Sequence, residues 1–372
     1  MYIYNARIIL PDRIIENGAL LVKEGKIEKI FETAPAGSVY KDTETVDLSG
    51  RFLAPGFVDM HCHGSGEYWF FENPAAAARA HLLEGTTSML ASMWRNAGEY
   101  SFEHAIENVQ EAVRSGTQNI AGIHMEGPYL DPEYGSDGGK PWPVNKEEYE
   151  NLIAKYGNFI KTWCFDPLQE NAREFAQACH KAGIRLSVCY SKATPEVLEE
   201  YLPLGLSIGN HIYCGSGMAK PLYPGTKEPG SDVFTLVRDE MTAELISDSM
   251  CGHVRPYYQR LIYKCKGSDR IALVSDCCAG GDTKGSDVNI INGELYGSRL
   301  TLSVAIKNMK KHTGAGIVEL MRMASSTPAK AIGIFGRCGS IEEGKDADLV
   351  ILSSDLSVNG VIKSGRFVRR DF

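Results

Sequence analysis

Histidine and acidic side chains stand at or just beyond the ends of several strand-like segments of the chain. His61 and His63 close the first of these segments, Glu126 closes a later one, and His211 and Asp276 follow two others. Neutral imidazole and carboxylate groups are common protein ligands of Zn²⁺ and Fe²⁺. If the fold brings these strand ends together, they predict a site for a divalent transition metal.

Each of these residues also has a simpler structural interpretation. A His-x-His pair can lie in a polar turn, His211 can be a hydrogen-bonded core histidine, and Asp276 can cap a helix. These interpretations do not explain why such residues recur at the ends of different strands. Because residues i and i+2 of a strand project to the same side, His61 and His63 can share one ion while Cys62 points away.

The central part of the chain alternates apolar strand-like segments with helical ones, the order expected for parallel βα units. Eight strands are predicted at residues 57–61, 86–91, 120–125, 159–164, 184–189, 206–209, 243–247 and 271–275. Helical links are predicted at residues 75–83, 102–114, 172–182 and 195–201. Eight such units predict an α/β fold, a (β/α)8 TIM-like barrel, in which all strand carboxyl ends face the active-site side. Tyr190 and His253, which follow the fifth and seventh strands, belong to the same face.

The two ends of the chain share short β-like segments separated by turn signals such as Asn17-Gly18. Neither end is large enough to bury a core alone, so we expect both ends to form one sheet domain together. The predicted organisation is a small β-sandwich domain at residues 1–50 and 336–372 and a metal-dependent barrel domain at residues 51–335.

Composition narrows the class of protein. A chain of 372 residues exceeds the roughly 250 residues that a barrel needs, and 43% hydrophobic with 23% charged residues is typical of a globular protein. The net charge of −8 without a long basic run argues against nucleic acid as a partner. The chain has no signal-peptide pattern and no 18-residue apolar run, so we expect a cytoplasmic protein without a membrane partner. Its ten cysteines form no Cys-x-x-Cys pair, which indicates reduced thiols.

Several motifs resemble those of the amidohydrolase superfamily, specifically the N-acetylglucosamine-6-phosphate deacetylases. The resemblance covers nearly the whole chain. It lies in PGFVDMHCHG at residues 55–64, HMEGP at 124–128, VSD at 274–276, MASSTPAKAIG at 323–333, GSI at 339–341 and GKDADLV at 344–350.

The resemblance implies a role for each matching residue. A metal would be surrounded by His61, His63, Glu126 and Asp276, with His211 at a second metal position. Asp276 would also move the proton during catalysis. His253 matches a family histidine that contacts the substrate near its acyl carbonyl. Lys227 stands in place of an arginine that reaches the sugar phosphate of the neighbouring subunit, which implies a homodimer.

Three departures from the family pattern affect the substrate and the second metal position. The family histidine after the fifth strand is replaced by Tyr190, so the second position loses a ligand. Cys214 and Gly215 stand where the family has Asn-Ala at the phosphate, and we expect Tyr190, Cys214 and Gly215 to face the substrate. The loop at residues 131–142 lacks the substrate-binding histidine that the family has there.

The function implied by the resemblance is hydrolysis of a carbon–nitrogen bond other than a peptide bond. The predicted reaction removes the N-acetyl group of a small amino sugar, N-acetylglucosamine 6-phosphate or a close relative, with hydroxide generated at Zn²⁺ or Fe²⁺. About one tightly held ion per chain is expected because Tyr190 replaces a ligand. Two alternatives remain: another amidohydrolase reaction, such as deamination or opening of a cyclic amide, and a catalytically weak sugar-binding homologue.

Overall fold

The amino-terminal region forms one side of a mixed sheet. A computed structural model of the chain describes residues 1–33, 40, 43–94, 101–134, 141–217, 221, 223–280, 286–291 and 293–372. The first strands are β1 (Tyr2–Ile9), β2 (Ile14–Lys23), β3 (Lys26–Phe31), β4 (Thr45–Asp47) and β5 (Phe52–Pro55). β1, β2 and β3 form an antiparallel meander, whereas β4 and β5 pair parallel to β1.

The centre of the chain folds into eight parallel strands that neighbour one another in chain order. These strands are β6 (Phe57–Asp59), β7 (Thr86–Trp94), β8 (Ile120–Glu126), β9 (Ile160–Phe165), β10 (Arg185–Val188), β11 (Leu206–Gly209), β12 (Thr242–Leu245) and β13 (Ile271–Leu273). Each corresponds to a predicted strand, and β6, β12 and β13 end two residues earlier than expected. The fold-class prediction is therefore confirmed.

The sheet curves round so that its two outer strands, β6 and β13, meet beyond their last paired residues. The backbone N–H of Asp276 donates to His61 O at 2.9 Å, and that of His63 donates to Cys277 O at 2.8 Å. The segments that carry the candidate metal ligands thus close the barrel themselves.

Helices link the barrel strands and cover their outer side. They are α1 (Pro74–Leu83), α2 (Phe102–Arg114), α3 (Lys146–Tyr156), α4 (Ala172–Lys181), α5 (Pro195–Glu199), α6 (Ser231–Val237), α7 (Pro256–Lys266), α8 (Leu302–Thr313), α9 (Ile317–Met321) and α10 (Thr327–Ala331). Side-chain caps set several starts, as where Ser101 Oγ accepts a hydrogen bond from the backbone N–H of His104 before α2. The four predicted helical stretches correspond to α1, α2, α4 and α5.

A two-stranded hairpin follows the last barrel strand and was absent from the sequence-based predictions. It consists of β14 (Val288–Ile291) and β15 (Glu294–Ser298), paired antiparallel. The pair Asn292-Gly293 between them is a strong hairpin signal in the sequence, although Asn292 lies outside the described residues.

The carboxyl-terminal strands complete the mixed sheet. They are β16 (Leu349–Leu352), β17 (Val358–Lys363) and β18 (Arg366–Arg370), and β16 pairs antiparallel with β5. Both termini therefore contribute to one eight-stranded sheet, as predicted. Its strand β5 lies beyond residue 50, and the predicted domain boundaries stay a prediction.

Among the described residues no helix combines the length and apolar character needed to cross a bilayer.

Candidate metal centre and active site

Donor atoms from four barrel strand ends converge at the carboxyl-terminal face. The Nε2 atoms of His61 and His63 are 3.2 Å apart. Asp276 Oδ1 lies 3.3 Å from His63 Nε2 and 3.7 Å from His61 Nε2. Glu126 bridges to the other side, with Oε2 at 3.2 Å from His63 Nε2 and Oε1 at 2.9 Å from His211 Nε2. The structure thus brings together all five residues predicted to surround metal.

Hydrogen bonds on the far side of the rings aim the Nε2 lone pairs at the centre. His61 Nδ1 lies 2.9 Å from Glu244 Oε2, and His211 Nδ1 lies 2.7 Å from Cys214 O. Since both partners are acceptors, each Nδ1 carries the hydrogen and leaves Nε2 as the donor atom for a metal. A tetrahedral ion with bonds of about 2.0–2.2 Å separates its ligand atoms by about 3.3–3.6 Å, close to the spacing found among these atoms. The residues present therefore fit a divalent cation.

The electrostatics of the cluster favour positive charge at its centre. Burial by itself would raise the pKa of Glu126, but the neighbouring imidazoles of His61, His211 and His63 hold it well below its usual value. Burial would also raise the pKa of Asp276, which the neighbouring imidazoles of His63 and His61 instead lower. Both carboxylates are consequently ionised at neutral pH, the state needed of a metal ligand or a proton acceptor.

The backbone holds Asp276 in an uncommon conformation. Its φ is 47°, in the left-handed region that few residues other than glycine adopt. Its N–H donates to His61 O, and its carbonyl accepts the N–H of Ser298 at 2.8 Å. Hydrogen bonds to the barrel closure on one side and to the base of the hairpin on the other thus fix the position of the carboxylate. Uncommon backbone conformations held in this way are typical of functional sites.

His253 lies across the centre and is held by a second carboxylate. Asp248 Oδ2 accepts the backbone N–H of His253 at 3.0 Å and lies 3.0 Å from its Nδ1. The other ring nitrogen, Nε2, lies 3.1 Å from Gly297 O at the base of the hairpin. Both ring nitrogens of His253 thus lie against acceptor oxygens, and the ring is part of the pocket wall beside Gly297.

Tyr190 stands beside His211 at the second predicted metal position. Its hydroxyl lies 3.3 Å from His211 Nε2, the same nitrogen that Glu126 faces. Burial raises the pKa of Tyr190 well above its usual value, and the charge of Glu126 adds to this effect. The ring packs against Gly215, where a Cβ atom would lie 2.5 Å from Tyr190 Cε1, so only glycine fits.

We expect about one tightly held metal per chain, because the Tyr190 hydroxyl occupies space where a second ion would need a ligand. A neutral phenol is a poor ligand compared with imidazole. Tyr190→His should therefore raise the measured metal content toward two per chain. Elemental analysis after removal of loosely bound ions provides the measurement. Two tightly held ions in the unmodified protein would contradict the expectation.

A cavity of about 330 Å³ opens above the donor cluster. The predicted residues that line it are His63, Glu126, Tyr190, His211, Cys214, Gly215, His253 and Asp276. The hairpin contributes Glu294, Leu295 and Tyr296 on one side, and Trp94 contributes an aromatic face at the end of β7. Lys227 is exposed and does not line this pocket, so its role as a phosphate contact stays a prediction.

Four features of the site were missed from the sequence. They are the hairpin wall, the aromatic face of Trp94, the Asp248 carboxylate behind His253 and the buried Glu244 behind His61. For Glu244 the available signal was a charged residue between the apolar residues of the predicted strand 243–247, because such a residue needs a buried partner.

Several other polar residues near the centre lie outside the donor cluster. Cys62 points away from the centre, toward His81 and Gly64 O. His124 is a buried core histidine whose Nδ1 lies 2.7 Å from Thr162 Oγ1. Cys277 and Cys278 are buried, and burial raises the pKa of both thiols, which makes them poor nucleophiles.

The chain is similar to a protein family model, to several curated proteins and to solved structures. The Amidohydrolase family model matches residues 247–368. An N-acetylglucosamine-6-phosphate deacetylase of Lysinibacillus sphaericus is 30% identical over 369 residues, covering 93% of this chain and 92% of that protein. An N-acetylgalactosamine-6-phosphate deacetylase of Escherichia coli O157:H7 is 25% identical, with 97% of each chain covered. The crystal structure of N-acetylglucosamine-6-phosphate deacetylase from Pasteurella multocida has a TM-score of 0.85 and 25% identity over 99% of each chain. The likeness extends well beyond the metal-binding motifs.

Proposed function

Because this chain belongs to the N-acetylglucosamine-6-phosphate deacetylase family of amidohydrolases, we propose that it hydrolyses the N-acetyl group of an amino sugar. The observation that carries the proposal is the convergence of three imidazole Nε2 atoms and two carboxylates at the floor of the pocket. The expected products are acetate and the free amine.

Amidohydrolases are metal-dependent, and the described residues include two overlapping groups suited to an ion: His61, His63 and Asp276, and His61, Glu126 and His211. The mixture of imidazole and carboxylate suits Zn²⁺ or Fe²⁺. When bound, such an ion polarises the acyl oxygen and lowers the pKa of water to about 7.

Asp276 is the proposed proton carrier. Its carboxylate accepts a proton from the water that attacks the acyl carbon, and then delivers that proton to the amine nitrogen as the carbon–nitrogen bond breaks. The backbone bonds to His61 and Ser298 keep the carboxylate beside His63 during both transfers.

His253 is the proposed donor to the acyl oxygen. Asp248 holds the ring from behind, so that the Nε2 donor now bonded to Gly297 O can turn its hydrogen bond to the negative charge that develops on the acyl oxygen. One well-placed donor of this kind typically contributes about 3–4 kcal/mol to transition-state stabilisation.

The pocket supports a sugar-sized substrate. Its volume lies near the lower end of the roughly 300–1,000 Å³ common for small-molecule sites. Trp94 and Tyr296 supply aromatic faces against which the apolar side of a sugar ring can pack.

We infer a homodimer in which Lys227 of one subunit reaches the substrate of the other. Lys227 lies on the surface, and nearby helices α6 and α7 contact one another and expose Val237, Tyr257 and Tyr258. Exposed apolar side chains of this size are typical of subunit interfaces.

Acetate release from a panel of N-acetylated amino sugars, each with and without a 6-phosphate, tests the proposed function. We expect release from N-acetylglucosamine 6-phosphate or a close stereoisomer. Ammonia or a ring-opened acid without acetate would instead indicate another amidohydrolase reaction, and absence of turnover on the whole panel would contradict the proposal.

Lys227→Ala should raise KM for the phosphorylated sugar more than for its unphosphorylated counterpart, since one phosphate contact is lost.

A further inference from the structure

Glu244 lies behind the metal centre, on the barrel strand β12, and is 1% exposed. A single oxygen of its carboxylate accepts two hydrogen bonds. Oε2 lies 2.9 Å from His61 Nδ1 and 3.1 Å from the backbone N of His211. These two residues follow β6 and β11, two strands that do not pair with each other in the barrel sheet. One buried oxygen therefore joins two candidate ligands that are far apart in the chain.

The contact with His61 decides which ring nitrogen is available. A carboxylate can only accept at this position, so it keeps the hydrogen on Nδ1 and directs the Nε2 lone pair toward His63, Glu126 and Asp276. Without an acceptor behind the ring, the alternative tautomer would place a hydrogen where the metal must bind.

The contact with His211 fixes a backbone segment. The side chain of Glu244 accepts the N–H of His211, and its carbonyl accepts the N–H of Ile212 at 3.1 Å. The segment after β11 is thus tied to β12 at two successive residues. Among the described residues, Glu244 is in neither of the two groups of donor side chains at the centre. It therefore acts on the metal site through His61 and His211.

We propose that Glu244 is a positioning residue that sets the tautomer of His61 and the placement of His211 together, and thereby the affinity of the centre for metal. The proposal rests on the proposed function only in assuming that the centre binds a divalent ion. Carboxylates that hold metal-binding histidines in this way are buried charges whose removal leaves the ring free to reorient.

The test compares the Zn²⁺ dissociation constants of metal-stripped protein and its Glu244→Leu and Glu244→Gln variants, measured by competition with a chromophoric chelator. Glu244→Leu should bind Zn²⁺ about 10–100-fold more weakly, because no acceptor remains for His61 Nδ1. Glu244→Gln should show a smaller but still measurable loss of affinity, since its amide oxygen can accept both hydrogen bonds but lacks the negative charge that strengthens them. Saturating Zn²⁺ should restore part of the acetate release in either variant.

Asp166→Asn is the matched control. Asp166 is also a buried carboxylate at a strand end, and it accepts hydrogen bonds from Ser191 Oγ and the backbone N–H of Leu168 without contacting a candidate ligand. Its loss should lower stability without changing Zn²⁺ affinity. A folded Glu244→Leu protein that binds Zn²⁺ as tightly as the unmodified chain overturns the proposal. If that variant does not fold, a Glu244→Gln affinity equal to the Asp166→Asn control overturns it instead. Zn²⁺ binding needs no substrate, so these outcomes are independent of which reaction the protein catalyses.

Discussion

Removal of metal from the purified protein should abolish acetate release. Five donor groups converge at the floor of the pocket, and the nitrogen and carboxylate oxygen atoms that face one another are suited to share one cation. Without an ion, the acyl oxygen is not polarised by a cation and the attacking water keeps its ordinary pKa. We expect acetate release to fall in proportion to the metal removed by dialysis against a chelator, with metal content followed by elemental analysis. Added Zn²⁺ or Fe²⁺ should restore it.

Two variants distinguish the effect of losing the metal from nonspecific damage caused by the chelator. His63→Ala should lose both metal and turnover, since His63 Nε2 contacts both carboxylates. His104→Ala removes the same type of side chain from the surface of α2 and should retain both. A fully active protein shown to be free of metal would rule out the proposed chemistry.

Asp276→Asn should lower kcat by about 100-fold or more, because an amide cannot carry the proton from water to the amine. The amide oxygen keeps the shape of the side chain and can still face His63, so folding and much of the metal binding should be preserved. The measurement is kcat at saturating substrate, corrected for the metal content of each preparation.

The control for this substitution is Asp232→Asn. Asp232 accepts hydrogen bonds from the backbone N–H of Tyr213 and from Ser216 Oγ, close to the site but outside the donor cluster. Its substitution should change kcat little compared with Asp276→Asn. Turnover close to normal in a metal-loaded Asp276→Asn protein would exclude Asp276 from proton transfer.

The barrel and its active-site face could be predicted from the sequence because their signals are local. Each buried parallel strand is a short apolar run, and polar residues such as Glu126 and Asp276 interrupt the pattern where a strand ends. In a closed parallel sheet every strand end of this kind faces the same side, so listing the residues after the strands identifies the site. The i, i+2 spacing of His61 and His63 likewise predicts that both rings face one side, with Cys62 turned away.

Contacts between residues that are far apart in the sequence could be identified only from the tertiary structure. Glu244 and His61 are 183 positions apart, and the strand pattern contains nothing that pairs them. The hairpin residues Glu294 and Tyr296 form a pocket wall because the base of the hairpin is hydrogen-bonded to the segment around Asp276, as between Ser298 and the Asp276 backbone.

The sequence by itself therefore determined which residue types stand at the strand ends, since periodicity and side-chain chemistry are properties of neighbouring residues. Only the folded chain decided which nitrogen of His61 faces the centre, how closely Tyr190 approaches His211, and where Lys227 lies relative to the pocket. Those outcomes depend on how side chains from different strands and loops are placed relative to one another, which results from how all eight barrel strands pack together.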